Sequence, residues 1–152
     1  MGTETSPAWV DHVAAALERA GHRSGAARQA VVELLGEQDC CLTAQEIFDT
    51  LRDRDRAIGI ASVYRVLELL SSLALVQRID VNDSAARYEA LHPSGHHHHH
   101  LVCDECGQVI AFEDRGLEEA IESLSEQLGC AVESHDVLLH GSCPNCTVPA
   151  AA

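Results

Sequence analysis

Apolar residues recur with a helical period through the first half of the chain. Val10, Val13, Ala14 and Leu17 predict a helix over 9–20, which Gly21 ends. Arg23-Ser24-Gly25 opens a second helix, with Ala27, Val31, Leu34 and Leu35 on one face. Asp39-Cys40-Cys41-Leu42 reads as a turn. Thr43 and Glu46 then fit a capping box, and Ile47, Phe48 and Leu51 line the inner face of a third helix. The RDRDR run at 52–56 reads as its solvated end. Gly59 breaks the chain before a fourth helix over 60–73. Val63, Val66, Leu67 and Leu70 form its apolar stripe, at i, i+3, i+4 and i+7. Ser62, Arg65 and Glu68 fall off the stripe, and Tyr64 lies near its edge. Two strand-like runs follow, 75–81 and 86–91, with Asn82-Asp83-Ser84 as the hairpin turn. Helices ending in a β-hairpin predict a winged helix-turn-helix. Its last helix suits the major groove and its hairpin is the wing.

The second half changes character. Residues 92–95 make a short linker, and 96–113 alternate like two strands around a CxxC. Residues 116–128 predict an amphipathic helix, with Leu117, Ile121, Leu124 and Leu128 inward and Glu118, Glu119, Glu122 and Glu126 outward. Gly129 stops it, and 130–141 read as a strand leading to a second CxxC. A unit with so little core of its own suggests dimerisation. The expected class is α+β. A winged-helix DNA-binding domain spans 1–91, a hinge linker 92–95 and a small α/β metal-binding dimerisation domain 96–152.

Composition sharpens this division. Aromatic residues make up 3% of 152, so both cores depend on Leu, Ile, Val and Ala. Small cores of this kind lean on metal or on association. All ten basic residues are Arg, and only Arg115 follows residue 90. Residues 1–90 carry a net charge of −5 and residues 91–152 carry −9, together with eight of the ten His. A few placed arginines in the first part would have to serve any DNA contact, while the acidic, His- and Cys-rich second part suits cations. The N-terminus has neither a basic n-region nor an apolar h-region, and no run reaches the length of a membrane span. A soluble cytoplasmic protein without a membrane partner is the expectation. In that compartment, paired CxxC motifs point to metal rather than to disulfides.

The strongest chemical signal is Cys103, Cys106, Cys143 and Cys146. Each CxxC sets two thiolates on one tight turn, and two turns complete a tetrahedral four-sulfur site suited to structural Zn(II). Cys130 reads as a plain buried residue. The run His96–His100 comes next. On a strand over 97–102, His98 and His100 share one face and His97 and His99 the other, so one strand can feed two sites. Candidate partners are Glu89, His92, Glu113, Glu118, His135 and His140. Catalysis finds no support: there is no HExxH, no H-x-E, and a four-thiolate site has no open position.

Three stretches then resemble one family, the ferric-uptake-regulator family of bacterial metalloregulators. GIASVYRVLELL at 59–70 is similar to its recognition helix. HHHHHLVCDECGQVIAFED is similar to its His- and Cys-rich signature, and ESHDVLLHGSCPNC to its closing strand and second CxxC. The resemblance covers roughly residues 9–147. It implies a homodimeric repressor whose bound metal holds two reading heads at the spacing of a palindromic double-stranded DNA operator. It implies DNA contacts from Arg23, Arg28, Ser62, Tyr64 and Arg65. It maps a regulatory hinge site onto Glu89, His98 and His100, with Cys41 in place of a family His and His92 near the hinge. A second site maps onto His97, His99, Glu118 and His135. Cys41 for His, His99 where many members have Asp, and Ala111 where many have an acidic hinge ligand are departures. They leave the regulatory metal as Zn(II) or Fe(II), ahead of Mn(II) or Ni(II). The expected function is repression of metal-homeostasis genes. The alternative is a zinc-binding interaction or metal-buffering protein without DNA binding.

Overall fold

The computed structural model describes residues 7–81, 85–94 and 97–147. The turn Asn82–Ser84 and His96 therefore lie outside the described residues. The chain divides into two compact units, Met1–His96 and His97–Ala152.

The first unit packs four helices on a small sheet. They are α1 (Pro7–Arg19), α2 (Ala26–Gly36), α3 (Ala44–Asp53) and α4 (Ile60–Ser72). Its strands are β1 (Leu42–Thr43), β2 (Val76–Ile79) and β3 (Arg87–Ala90), in the antiparallel order β1-β3-β2. The apolar stripes meet in one core: Trp9 and Val13 of α1, Leu34 and Leu35 of α2, Ile47 of α3 and Leu67 of α4 are all buried. Trp9 is wholly buried, and its indole Nε1–H donates to the Leu75 carbonyl oxygen at 3.2 Å, tying α1 to the start of the hairpin. Gly36 keeps α2 close to α1. A Cβ there would meet Val10 Cγ2 at 3.0 Å and the Trp9 ring at 3.4 Å.

The capping box forms as expected. The Glu46 amide donates to Thr43 Oγ1 at 3.1 Å, and the Thr43 amide donates to Glu46 Oε2 at 2.8 Å. Such a cap is worth about 1 kcal/mol. Arg87 of β3 also reaches Glu46, at 3.3 Å, so the α3 start is held to the sheet. The turn expected at 39–42 instead runs into β1, whose pairing places Leu42 opposite Tyr88 and Thr43 opposite Arg87. Two residues are too few for a periodic pattern to reveal.

On α4, Val63, Val66, Leu67 and Leu70 are buried, and Tyr64, Arg65 and Glu68 face solvent. The helix ends without a glycine. Ala74 takes the left-handed conformation (φ +53°), and the Leu75 amide closes back on the Leu70 carbonyl at 2.9 Å. The RDRDR segment is exposed, yet Arg54 and Arg56 return to Glu37 and Glu33 of the α2 region, at 2.9 and 3.8 Å.

The second unit holds β4 (His99–Cys103), β5 (Val109–Phe112), α5 (Arg115–Leu128) and β6 (Leu138–Gly141). Its sheet order is β5-β4-β6: β4 pairs antiparallel with β5 and parallel with β6. Asp114 caps α5 by accepting the Leu117 amide at 2.8 Å, and Gly129 (φ +65°) ends it.

Three expectations change here. The strand expected over 130–141 is confined to 138–141, because only those residues pair with β4. None of the helix's residues is buried: Leu124 and Leu128 are 51% and 64% exposed. Among the described residues, the second half of its apolar stripe, Leu124 and Leu128, stays uncovered, while Leu117 and Ile121 are half-buried. Cys130, expected buried, is exposed just after the Gly129 cap, where the chain leaves the helix. Among the described residues, no helix is long and apolar enough to cross a membrane.

Candidate metal centres

The parallel β4–β6 pairing determines where the thiols meet. It sets Cys103 opposite Gly141, so both CxxC turns leave the same end of the sheet. In the first turn the Gly107 amide donates to the Cys103 carbonyl at 2.8 Å, with Gly107 at φ +76°. In the second, the Cys146 and Thr147 amides donate to the Cys143 carbonyl at 2.9 and 2.8 Å. Cys103, Cys106, Cys143 and Cys146 bring their four sulfurs within 4.8 Å of one another. Cys106 Sγ and Cys143 Sγ are 3.7 Å apart. Sulfurs about 2.3 Å from a tetrahedral Zn(II) are separated by ~3.8 Å, so the donor set fits the ion.

The backbone prepares this site for a cation. The Cys143 amide donates to Cys103 Sγ at 3.3 Å. That bond, joined by the Cys106 amide, lowers the Cys103 thiol to about 6. Cys146 is pushed up to about 12 by the neighbouring Cys143 and Cys106 sulfurs, which compete with it for negative charge. Thiols crowded in this way release protons when a cation binds them.

A second cluster gathers His97, His99, Glu118 and His135, again with donor atoms within 4.8 Å. The β4 strand supplies His99, the residues before it His97, and the first turn of α5 Glu118. Glu118 Oε1 lies 2.5 Å from His99 Nε2, and Glu118 Oε2 lies 2.8 Å from His135 Nε2. His97 Nε2 and His135 Nε2 are 3.1 Å apart. The Val137 amide donates to His99 Nδ1 at 3.2 Å, which leaves the neutral ring's proton on Nε2, facing Glu118. A cation at Nε2 takes that proton's place.

The hydrogen bond from His99, aided by the charges of His135 and His97, holds the Glu118 carboxyl below its ordinary range. Its pKa is depressed, so its contribution is complete above the ordinary carboxylate range and is lost as pH falls through the lowered value. Glu118→Gln is expected to weaken metal binding at this cluster by at least roughly 10-fold. Chelator competition on zinc-loaded protein measures this, with the four-cysteine zinc content unchanged. Equal affinity in the variant would remove Glu118 from the donor set.

The remaining residues divide between the two units. In the first, Cys41 and Glu89 are buried, and the β1–β3 register carried back one residue sets them opposite each other. Cys41 is raised by the hydrogen bond with Cys40 and by burial. His92 follows β3 and is half-buried. In the second unit, His100 is buried on β4 opposite Ala111, and His98 Nε2 lies 3.1 Å from Glu113 Oε1. His140 joins none of these groups. It pairs with Asp104 at 3.2 Å.

Tyr64 and Arg65 stand exposed on α4, and Arg65 Nη2 donates to Ser62 Oγ at 3.2 Å. Arg23 is exposed in the turn before α2, and Arg28 is half-buried with its guanidinium bonded to the Arg23 carbonyl.

A fold with this α4 face, followed by a four-cysteine cluster and a His/Glu cluster on one small sheet, can be compared with known proteins. The family model "Ferric uptake regulator family" matches residues 19–140. The chain belongs to the ferric uptake regulator family. The ferric uptake regulation protein of Bacillus subtilis (strain 168) is 34% identical over 140 residues, spanning 90% of this chain and 93% of the relative. The crystal structure of the Vibrio cholerae ferric uptake regulator matches with a TM-score of 0.73 and 32% identity, over 84% of this chain and 97% of that one. The Helicobacter pylori ferric uptake regulator, described as having three functional metal-binding sites, matches with a TM-score of 0.79 and 26% identity, over 96% of both chains.

The fold is therefore that of an N-terminal winged helix-turn-helix followed by a small α/β dimerisation domain. Ferric uptake regulators are metal-responsive, DNA-binding, dimeric proteins, and the relatives are named as regulators rather than enzymes. The spacing of the chain does not single out Cys40, whose Sγ lies 3.7 Å from that of its neighbour Cys41.

Proposed function

We propose that this chain is a metal-dependent transcriptional repressor that senses Zn(II) or Fe(II) and controls metal-homeostasis genes. One observation carries the reading. On α4 the apolar stripe is buried while Tyr64 and Arg65 stand exposed, Arg65 bonded to Ser62, and this suits a helix that reads DNA. Arg65 suits guanine edges or phosphate, and Tyr64 a thymine methyl. Arg23 and Arg28 add phosphate or minor-groove contacts.

In this reading the domain boundaries are 1–91, 92–95 and 96–152. Cys103, Cys106, Cys143 and Cys146 hold a structural Zn(II). His97, His99, Glu118 and His135 hold a second ion. The regulatory ion takes its donors from Glu89, Cys41, His92, His98 and His100. A bound divalent ion supplies a centre whose affinity differs between arrangements of its donors, and that difference is the shift in population. The relatives' response to metal and the donor chemistry within each unit support this. The exposed apolar residues Leu124, Leu128, Val132 and Leu139 suit burial against a second copy of the chain. A two-fold homodimer reads a palindromic operator. The protein would act in the cytoplasm.

The test is affinity for its own promoter DNA, titrated with buffered Zn(II), Fe(II), Mn(II) and Ni(II), with metal content measured on the same sample. Zn(II) or Fe(II) is expected to strengthen binding by roughly 5- to 150-fold. Metal uptake without any DNA complex would replace this reading with metal buffering.

A further inference from the structure

The chain has seven cysteines. Four form the structural cluster and Cys130 stands alone on the surface, its thiol directed to the Leu128 carbonyl. Cys40 and Cys41 are left. Neighbouring side chains on an extended chain point to opposite faces, which would part the two thiols. Here the bend at Asp39–Cys40, just ahead of β1, brings them to one side instead. Their sulfurs lie 3.7 Å apart, the same separation as Cys106 and Cys143 in the four-cysteine cluster. It is also the edge of a tetrahedron of sulfurs about 2.3 Å from its centre.

Cys41 is 4% exposed, and the buried Glu89 falls opposite it when the β1–β3 register is carried back one residue. Ionising the buried Cys41 thiol beside a second thiol costs free energy, and a cation offsets that cost.

We propose that Cys40 and Cys41 ligate as a pair and, with Glu89, give the DNA-binding unit a thiolate-rich donor set that favours Zn(II) over Fe(II) and Mn(II). The preference follows from donor softness: thiolates suit zinc, whereas His and carboxylate donors alone discriminate little among these ions. The inference rests on reading Cys41 as a regulatory donor, and it adds Cys40 and the metal class to that reading.

The experiment uses full-length protein with one zinc per chain retained in the four-cysteine cluster, titrated with Co(II) alone. Sulfur-to-cobalt charge-transfer absorption counts thiolates, and the His97, His99, Glu118, His135 cluster contributes no sulfur to it. The wild type is expected to show the intensity of two thiolates, Cys40→Ser about half of it, and Cys40→Ser with Cys41→Ser none. Cys40 is only half-buried, so Ser fits there, and Trp9 fluorescence confirms the fold of its unit. Zn(II) affinity is expected to fall by at least roughly 10-fold in Cys40→Ser, with Mn(II) affinity changed far less. An unchanged charge-transfer band in Cys40→Ser would overturn the pair. Operator binding measured on the same samples separates the two readings: a two-thiolate band without metal-dependent DNA binding supports the pair and sinks the repressor.

Discussion

Cys103→Ser is expected to release one zinc per chain and to cost the C-terminal unit its fold. The reason is the thinness of that unit's interior. None of the residues of α5 is buried, and among the described residues the buried apolar ones of β4 and of the chain after β6 are Val102, Cys103 and Cys143. A core of that size cannot offset the entropy of ordering the chain. On the proposed reading, zinc held by the four-cysteine cluster closes the span from Cys103 to Cys146 and stands in for it. Structural zinc contributes roughly 10–16 kcal/mol in small zinc-dependent units, as much as the whole stability of an ordinary domain, about 5–15 kcal/mol. Metal analysis should show one zinc fewer, and circular dichroism a loss of helix matching α5. Trp9, buried in the first unit, should keep its fluorescence. Full zinc content in a folded variant would show that Cys103 is no ligand. The pH dependence has a definite sign. Cys103 sits at about 6 and Cys146 at about 12, so binding releases protons, and zinc loading should weaken as pH falls toward the lower value.

The second large effect concerns regulation. His98→Ala with His100→Ala should leave a folded, zinc-containing dimer whose operator affinity no longer responds to added metal, a loss of roughly 5- to 150-fold at saturating metal. Both changes leave the four-cysteine cluster intact. His100 is buried, so the pair His98→Gln and His100→Gln serves as a companion that retains more of the volume. Gel shifts at fixed salt measure the effect, because DNA affinity depends steeply on salt. Metal-responsive binding that persists in both variants would move regulation to other donors, with the His97, His99, Glu118 and His135 cluster next in line.

The two clusters also show how far residue spacing carries. The alternation of faces along a strand separates His97 and His99 from His98 and His100, and the structure groups the first two with Glu118 and His135. Only His99 and His100 lie within β4, so the separation extends beyond the paired residues. Spacing did not show that His140 turns to Asp104, or that Glu113 meets His98. Both depend on where loops bring side chains, and a periodic pattern carries no information about loops. The same holds for Cys40: its approach to Cys41 comes from a bend at the start of a two-residue strand.

The amphipathic stripe of α5 was legible as well, but not the fact that it stays uncovered. Periodicity records which side of a helix is apolar and is silent on what lies against it. Among the described residues of the second unit, nothing covers Leu124 and Leu128.

What the sequence by itself determined is local and repetitive: the helices with their caps, the buried stripe of α4, the two CxxC turns, and the faces of the His strand. Backbone geometry with a period of 3.6 or 2.0 dictates these. The tertiary structure alone decided how the distant donors meet. Parallel pairing of β4 with β6 brings Cys103 to Cys143, and the packing of α5 brings Glu118 to His99. Those meetings join residues far apart in the chain, and only the closing of the sheet supplies the distances at which their atoms can share a cation.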